Sequence, residues 1–363
     1  MHAHPISRLR IAQVSPLHES VPPKTYGGTE RVVSWLTEEL VRQGHQVTLF
    51  ASGDSRTAAR LVAGSPRGLR LDACRDMSPE MRSLIAHVIQ FDQVMALAGD
   101  FDIIHFHTEP LQHGVFRHLP VPTLTTLHGR LDLPELAILY RAFPDLPVVS
   151  ISNDQRRPLP HLNWISTVYH GLPPDLLALD ERGGDYLVFL GRISPEKRPD
   201  RAIEIARRAG VPLKIAAKVD AKDKEYFERE IEHLMRQDGV EYVGEVADAD
   251  KQALLGGARG LLFPIDWPEP FGLVMIEAMA CGTPVIAWKC GSVPEVIDAG
   301  ESGFVVDSID AAVEAVHALP RLTRRACREA FDRRFTAASM AHRYVSLYQG
   351  LIQALPRSAM GAA

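Results

Sequence analysis

At 363 residues the chain is longer than a single hydrophobic core usually spans, so two domains are expected. Its 46% hydrophobic and 23% charged residues are those of an ordinary globular protein, and a formal net charge of −5 speaks against a general affinity for nucleic acid. The four cysteines, Cys74, Cys281, Cys290 and Cys327, show no C-x-x-C spacing, which argues against a disulfide framework or a structural zinc site and for reduced thiols in a cytoplasmic protein.

The first residues lack the apolar core of a signal peptide, and no apolar run reaches the length of a membrane span, which leaves peripheral contact as the route to a membrane. Short apolar runs then alternate with amphipathic stretches, the grammar of parallel sheets with crossover helices. In the first half, strands are expected from Leu9, Val47, Asp102, Pro122 and Val148. Between the first two, Glu30 to Gln43 places Val32, Val33, Leu36, Leu40 and Val41 on one helical stripe, with Gly44 as its stop. In the second half, strands are expected from Tyr186, Leu213, Val240, Gly260, Pro284 and Gly303. The stretch from His170 to Asp185 is rich in Pro, Gly and acidic residues and reads as a linker. The expected architecture is therefore α/β, with two Rossmann-like parallel-sheet domains, 1–170 and 171–336, facing across a cleft. A final segment, 337–363, reads as one more helix with a frayed end.

Three motifs carry chemistry. Gly191 to Arg198, GRISPEKR, follows a strand and places Arg192 and Lys197 at its carboxyl end, where a forked and a compact cation suit a diphosphate. Taken alone, two such charges more often mark a solvated basic loop. In Trp267 to Ala287 two prolines fix an extended entry, and a helix is expected from near Phe271 to Ala280. The amides of Phe271, Gly272 and Leu273 would then form an anion site. Glu269 precedes this helix and Glu277 lies within it. Two carboxylates flanking an anion site suit a ligand with hydroxyls on both sides of a diphosphate. Each glutamate alone reads as a solvated helix face, but Glu277 sits between apolar neighbours and requires a partner. The third motif, Tyr26 to Val33, sets Gly27 and Gly28 before a helix, where phosphate or sugar oxygens could approach the backbone. No G-x-G-x-x-G follows a strand and no G-x-x-x-x-G-K-[ST] occurs, which disfavours a nicotinamide or flavin enzyme and a P-loop nucleotidase.

His105 and His107 share a strand face, and His128 ends the next strand. A metal held by His105, His107 and Glu109 is the tempting reading. Strand-end histidines more often bond a ligand or the backbone, one of the pair can be a satisfied core residue, and His128 is the better functional candidate.

Together and in this order, the glycine turn, GRISPEK and EPFGLVMIE followed by AMACGTPV resemble the family 4 glycosyltransferases of the GT-B fold, in a bacterial branch, over nearly the whole chain. The resemblance implies a retaining transferase that takes sugar from a UDP-, GDP- or ADP-linked donor without a metal or other cofactor, passing it to an acceptor the sequence does not identify. It assigns Arg192 and Lys197 to the diphosphate, Glu277 to the ribose, and Glu269 with the Phe271, Gly272 and Leu273 amides to the sugar and phosphate. Gly28 would lie over the leaving phosphate, the strand around Gly244 would bound the base pocket, and His128 would stand near the reacting sugar; His107 is a further acceptor-side candidate. The tail helix would cross back to the N-terminal domain. One departure stands out: His170, Gly171 and Leu172 occupy the place of an Asn-Gly-Val stretch common in the family. A nucleotide-sugar epimerase and a non-catalytic sugar-nucleotide-binding protein are the competing readings.

Overall fold

The computed structural model describes residues 8–24, 27–71 and 77–354; Tyr26, Cys74 and the terminal RSAMGAA stretch lie outside the described residues. The chain divides into two compact units. The first comprises Met1–Ile151, Arg156–Tyr169 and Ala337–Ala363, and the second comprises Ser152–Gln155 and His170–Thr336.

The first unit is built on a parallel sheet of β1 (Arg10–Val14), β2 (Gln46–Ser52), β3 (Arg60–Ser65), β4 (Ile103–Phe106), β5 (Thr123–Thr126), β6 (Val148–Ser150) and β7 (Trp164–Thr167), in the order β3-β2-β1-β4-β5-β6-β7. The two edge strands, β3 and β7, are the ones that no apolar run announced. They are half-exposed along most of their length, and β3 carries Gly64. Side chains alternate across the sheet. Ala12, Val14, Phe50, Ile104 and Phe106 meet Phe91 and Val94 of the helix Pro79–Ala96 on one face. On the other, Leu49 and Ala51 pack on Val33 of the helix Gly28–Arg42. That helix buries Val32, Val33, Leu36 and Leu40 and ends where Gly44 takes φ 89°. The tail helix Ala337–Ala354 also belongs to this unit and buries Tyr344 and Tyr348.

The second unit holds β8 (Tyr186–Arg192), β9 (Leu213–Lys218), β10 (Val240–Gly244), β11 (Ala258–Phe263), β12 (Val285–Trp288) and β13 (Gly303–Val306), ordered β10-β9-β8-β11-β12-β13 and again parallel. Ile203 and Ala206 of the helix Pro199–Ala209, with Ala312 and Val316 of the helix Ile309–Ala318, pack on Leu187, Phe189, Ile215, Leu262 and Ile286. Each fully buried large aliphatic residue here contributes about 1.5–3 kcal/mol relative to exposure. The alternate strand residues Val188, Leu261, Val285 and Ala287 face the other way, where the helix Leu273–Ala280 packs on β11 and β12.

The stretch 170–185 is not the loose linker its composition suggests. It is strapped to the second unit by backbone bonds from Leu172 to Phe335 (3.0 Å) and Asp180 to Cys281 (3.1 Å). Arg328 donates to the carbonyls of Pro174 and Leu177 at 2.7 and 2.8 Å, and Leu177 is buried. Among the described residues, no helix is long and apolar enough to cross a membrane.

Candidate functional site

In the second unit, β8 ends at Arg192 and the chain turns through Ser194, whose carbonyl accepts from Lys197 N–H at 3.1 Å. Arg198 closes the turn in the left-handed region (φ 53°), uncommon for a residue with a Cβ. Its guanidinium bonds Asp200 and Asp266, both at 2.9 Å, and Asp266 N–H donates to Glu196 O at 2.8 Å. The GRISPEK turn and the loop leading to Glu269 are thereby tied together.

The consequence is a direct ion pair between Lys197 and Glu269. Trp267 Nε1 also donates to Glu269 Oε2 at 3.0 Å, and the Lys197 ammonium lies 5.1 Å from the Trp267 ring centroid and 5.3 Å from that of Phe263. The loop is held from behind. Ser292 N–H donates to Glu269 O at 3.0 Å and Ser292 Oγ to Phe271 O at 2.8 Å. Gly291 (φ 58°) is obligatory, because a Cβ there would stand 2.4 Å from the backbone N and O of Glu269. Arg192, mostly buried, is surrounded by Asp220 at 3.5 Å, Asp223 at 3.6 Å and Glu196 at 3.8 Å.

The helix after Glu269 spans Leu273–Ala280, two residues later than the start expected from sequence. Gly272 is its left-handed N-cap (φ 79°), so Phe271 and Gly272 precede the helix and Leu273 opens it. First-turn amides have no intrahelical acceptor and offer an anion site. Phe271 is buried, with its ring 4.9 Å from that of His170, so the histidine that departs from the family pattern packs edge-on against the anion-site loop. Glu277 is buried, and the partner it requires is Lys251, whose Nζ lies 2.8 Å from Glu277 Oε1 and 3.1 Å from Asp248 Oδ1. Gly244 ends β10 with φ 81° and open space where a Cβ would stand.

In the first unit, Gly28 opens the helix Gly28–Arg42. His105 is the satisfied core histidine: it is fully buried, bonded to Tyr348 through Nδ1 (2.7 Å) and to Thr126 through Nε2 (2.8 Å). His107 bonds Gln13 Oε1 through Nε2 (2.7 Å) and His128 Nε2 through Nδ1 (2.9 Å). Glu109 turns to the backbone instead, its Oε1 accepting from His128 N–H at 3.0 Å. The three side chains of the tempting metal set are thus each bonded to protein groups, His105 to Tyr348 and Thr126, His107 to Gln13 and the His128 ring, and Glu109 to the His128 amide. Burial pushes the Glu109 carboxyl up to about 7, against the pull of the His128 amide, and lowers His128 to about 3, so this imidazole is neutral at physiological pH.

The site residues expected from sequence thus fall into separate groups. Lys197 and Glu269 touch, and Arg192 shares their loop. Glu277 lies one helix further along with Lys251, while Gly28, His107 and His128 belong to the other unit. Lys251, Gln13 and Tyr348 carried no motif. The one local signal was the i, i+3 spacing of Asp248 and Lys251.

Comparison with known proteins places this geometry. Residues 26–173 match the model described as Glycosyltransferase Family 4, and residues 179–330 match Glycosyl transferases group 1. The chain is 26% identical to a glycogen synthase of Mycobacterium tuberculosis over 96% of its own length and 97% of that protein's. In structure it is similar to a sucrose-phosphate synthase of Thermosynechococcus elongatus (TM-score 0.77, 20% identity, covering 96% of this chain and 100% of that one). It is likewise similar to the Anabaena protein HepE, solved in complex with UDP and glucose (TM-score 0.69, 17% identity, 94% and 100% covered). Two parallel-sheet units with these matches define a glycosyltransferase of the GT-B fold. The two family matches lie end to end over most of the sequence, and the chain belongs to the family 4 glycosyltransferases.

Proposed function

We propose that this glycosyltransferase takes its sugar from a nucleoside diphosphate donor, retains the anomeric configuration and requires no divalent metal. The observation that carries the donor reading is the pairing of Lys197 with Glu269 at a strand end, beside Arg192 and immediately before a helix N-terminus. Cleavage of the sugar–phosphate bond leaves negative charge on the diphosphate. Arg192, Lys197 and the first-turn amides are fixed positive groups suited to receive it, the task a metal ion performs elsewhere. As the diphosphate engages Lys197, the Glu269 carboxylate becomes available to accept hydrogen bonds from the sugar hydroxyls. Glu277, held by Lys251, accepts from the ribose hydroxyls, and His128 faces the reacting sugar. The UDP bound by the similar Anabaena protein supports a nucleotide donor, and retention rests on the family.

Donor turnover with EDTA present, combined with NMR of the product's anomeric proton, tests the reading. Full activity in chelator and a product of the donor's own anomeric configuration are expected. Loss of turnover restored by magnesium or manganese would refute the metal-free assignment, and an inverted product would refute retention.

A further inference from the structure

Beneath His128 runs an unbroken row of hydrogen bonds contributed by β1, β4, β5 and the tail helix. His128 Nε2 meets His107 Nδ1 at 2.9 Å, and His107 Nε2 meets Gln13 Oε1 at 2.7 Å. Gln13 Nε2 donates to Tyr348 Oη at 3.1 Å, and Tyr348 Oη meets His105 Nδ1 at 2.7 Å. His105 Nε2 meets Thr126 Oγ1 at 2.8 Å, and Thr126 Oγ1 meets Tyr344 Oη at 2.9 Å. Gln13, His105, Thr126 and Tyr348 are fully buried and His107 nearly so, so each bond is made in a medium where leaving a polar atom unmatched costs about 1–3 kcal/mol.

Such a row has only two senses. A neutral imidazole donates through one nitrogen and accepts through the other, and a glutamine side chain donates through Nε2 and accepts through Oε1. Fixing one member therefore fixes all. Gln13 presents its oxygen to His107 and its nitrogen to Tyr348. A neutral His107 then donates from Nε2 and accepts at Nδ1, so His128 donates from Nε2. In the other direction, Tyr348 accepts from Gln13 and donates to His105 Nδ1, which leaves His105 Nε2 to donate to Thr126. A glutamine turned the other way would reverse every proton in the row.

We propose that Gln13 and Tyr348 are positioning residues that lock His128 as the Nε2–H tautomer, so that its Nδ1 is solely a hydrogen-bond acceptor. A ligand group meeting Nδ1 must then bring a proton. A sugar hydroxyl fits this requirement, and an ionised phosphate oxygen does not. This consequence rests on the placement of His128 at the reacting sugar, whereas the tautomer does not depend on that placement. Burial keeps His105 and His128 neutral, as the row requires.

The test is long-range 1H–15N spectroscopy of histidine-labelled full-length protein, with the three rings identified from single His→Gln spectra. His105, His107 and His128 are all expected with a protonated Nε2 and a bare Nδ1. Nδ1–H tautomers or mixtures at His107 and His128 would overturn the proposal. In Gln13→Glu the carboxylate accepts from both sides. His105 should switch to Nδ1–H while His107 and His128 keep Nε2–H, and an unchanged His105 would remove Gln13 from its role. In Tyr348→Phe the glutamine is freed to turn. The His128 tautomer should become mixed, and kcat should fall by about 10–100-fold with KM for the donor little changed. Unaltered tautomer and kcat in that variant would likewise overturn it. His128→Ala with wild-type transfer would overturn the placement of His128 at the sugar while the spectra still report on the lock, so the two failures are distinguishable.

Discussion

Lys251 Nζ stands 2.8 Å from Glu277 Oε1, joining a helix of polar sequence to the most apolar helix of the second unit through a buried ion pair. Both side chains are largely shielded, at 16% and 6% exposure, so the attraction is little screened and neither charge tolerates the loss of the other.

Lys251→Met should therefore lower the unfolding free energy by about 3 kcal/mol, the cost of stranding a buried carboxylate. Adding Glu277→Gln should recover part of the loss, because the remaining amide is neutral. Urea unfolding of the two single variants and the double variant measures this. Additive losses would show that the two residues are not coupled.

Arg192→Ala and Lys197→Ala should each raise the transfer barrier by about 2–4 kcal/mol, the magnitude of a lost contact to developing charge. Both should remain folded, because neither belongs to the apolar core. Lys197→Ala also strands Glu269, and Arg192→Ala strands the equally shielded Asp223, so each should lower the melting temperature modestly. Steady-state kinetics and thermal melts check both, and near-wild-type turnover in either variant would count against the phosphate assignment.

The two glutamates should separate by function. Glu277→Gln should weaken binding of the bare nucleoside diphosphate if Glu277 is the ribose ligand proposed above. Glu269→Gln should leave that binding nearly intact while lowering transfer and blurring discrimination between donor sugars. Calorimetry with UDP, paired with kinetics on two UDP-sugars, decides the point; equal affinity losses would refute the division.

Stability should be highest near pH 6.5. His128, lowered to about 3, and His113, lowered to about 4, refuse protons that the unfolded chain accepts below about 6.5, and His105 behaves likewise. Their stabilisation is complete above that pH and is lost as pH falls toward the folded values. Glu109 acts oppositely. Its proton is held in the folded state up to about 7 but leaves the unfolded chain near 4.5, so its contribution declines as pH rises between the two. Glu109→Gln should remove that decline, worth at most about 3 kcal/mol, and steepen the acid limb. Denaturant unfolding at pH 5, 6.5 and 8 gives the comparison; parallel curves for the two proteins would contradict it.

Much of this was legible because parallel-sheet strands buried on both faces read as continuous apolar runs. β1, β4, β8 and β11 announce themselves that way, whereas β3 and β7, half-exposed at the sheet edges, do not. Arg192, Lys197, Glu269 and Glu277 could be found because each pair falls within one short segment. Lys251 could not, since its contact with Glu277 spans 26 positions between two helices, and Gln13 meets His107 94 positions away. The composition of 170–185 misled because the arginines that strap it down, Arg324 and Arg328, lie far along the chain.

The tail helix makes the first unit discontinuous: Gln13 meets Tyr348 only after 335 further residues. On the ribosome, the first unit is therefore completed after the second. The second unit can close once Thr336 has emerged, while the first waits with Gln13 Nε2 and His105 Nδ1 lacking their partner until Tyr348 arrives. A chain arrested or clipped before Tyr344 should carry a folded second unit beside a first unit with an open polar core, a natural substrate for chaperones and proteases.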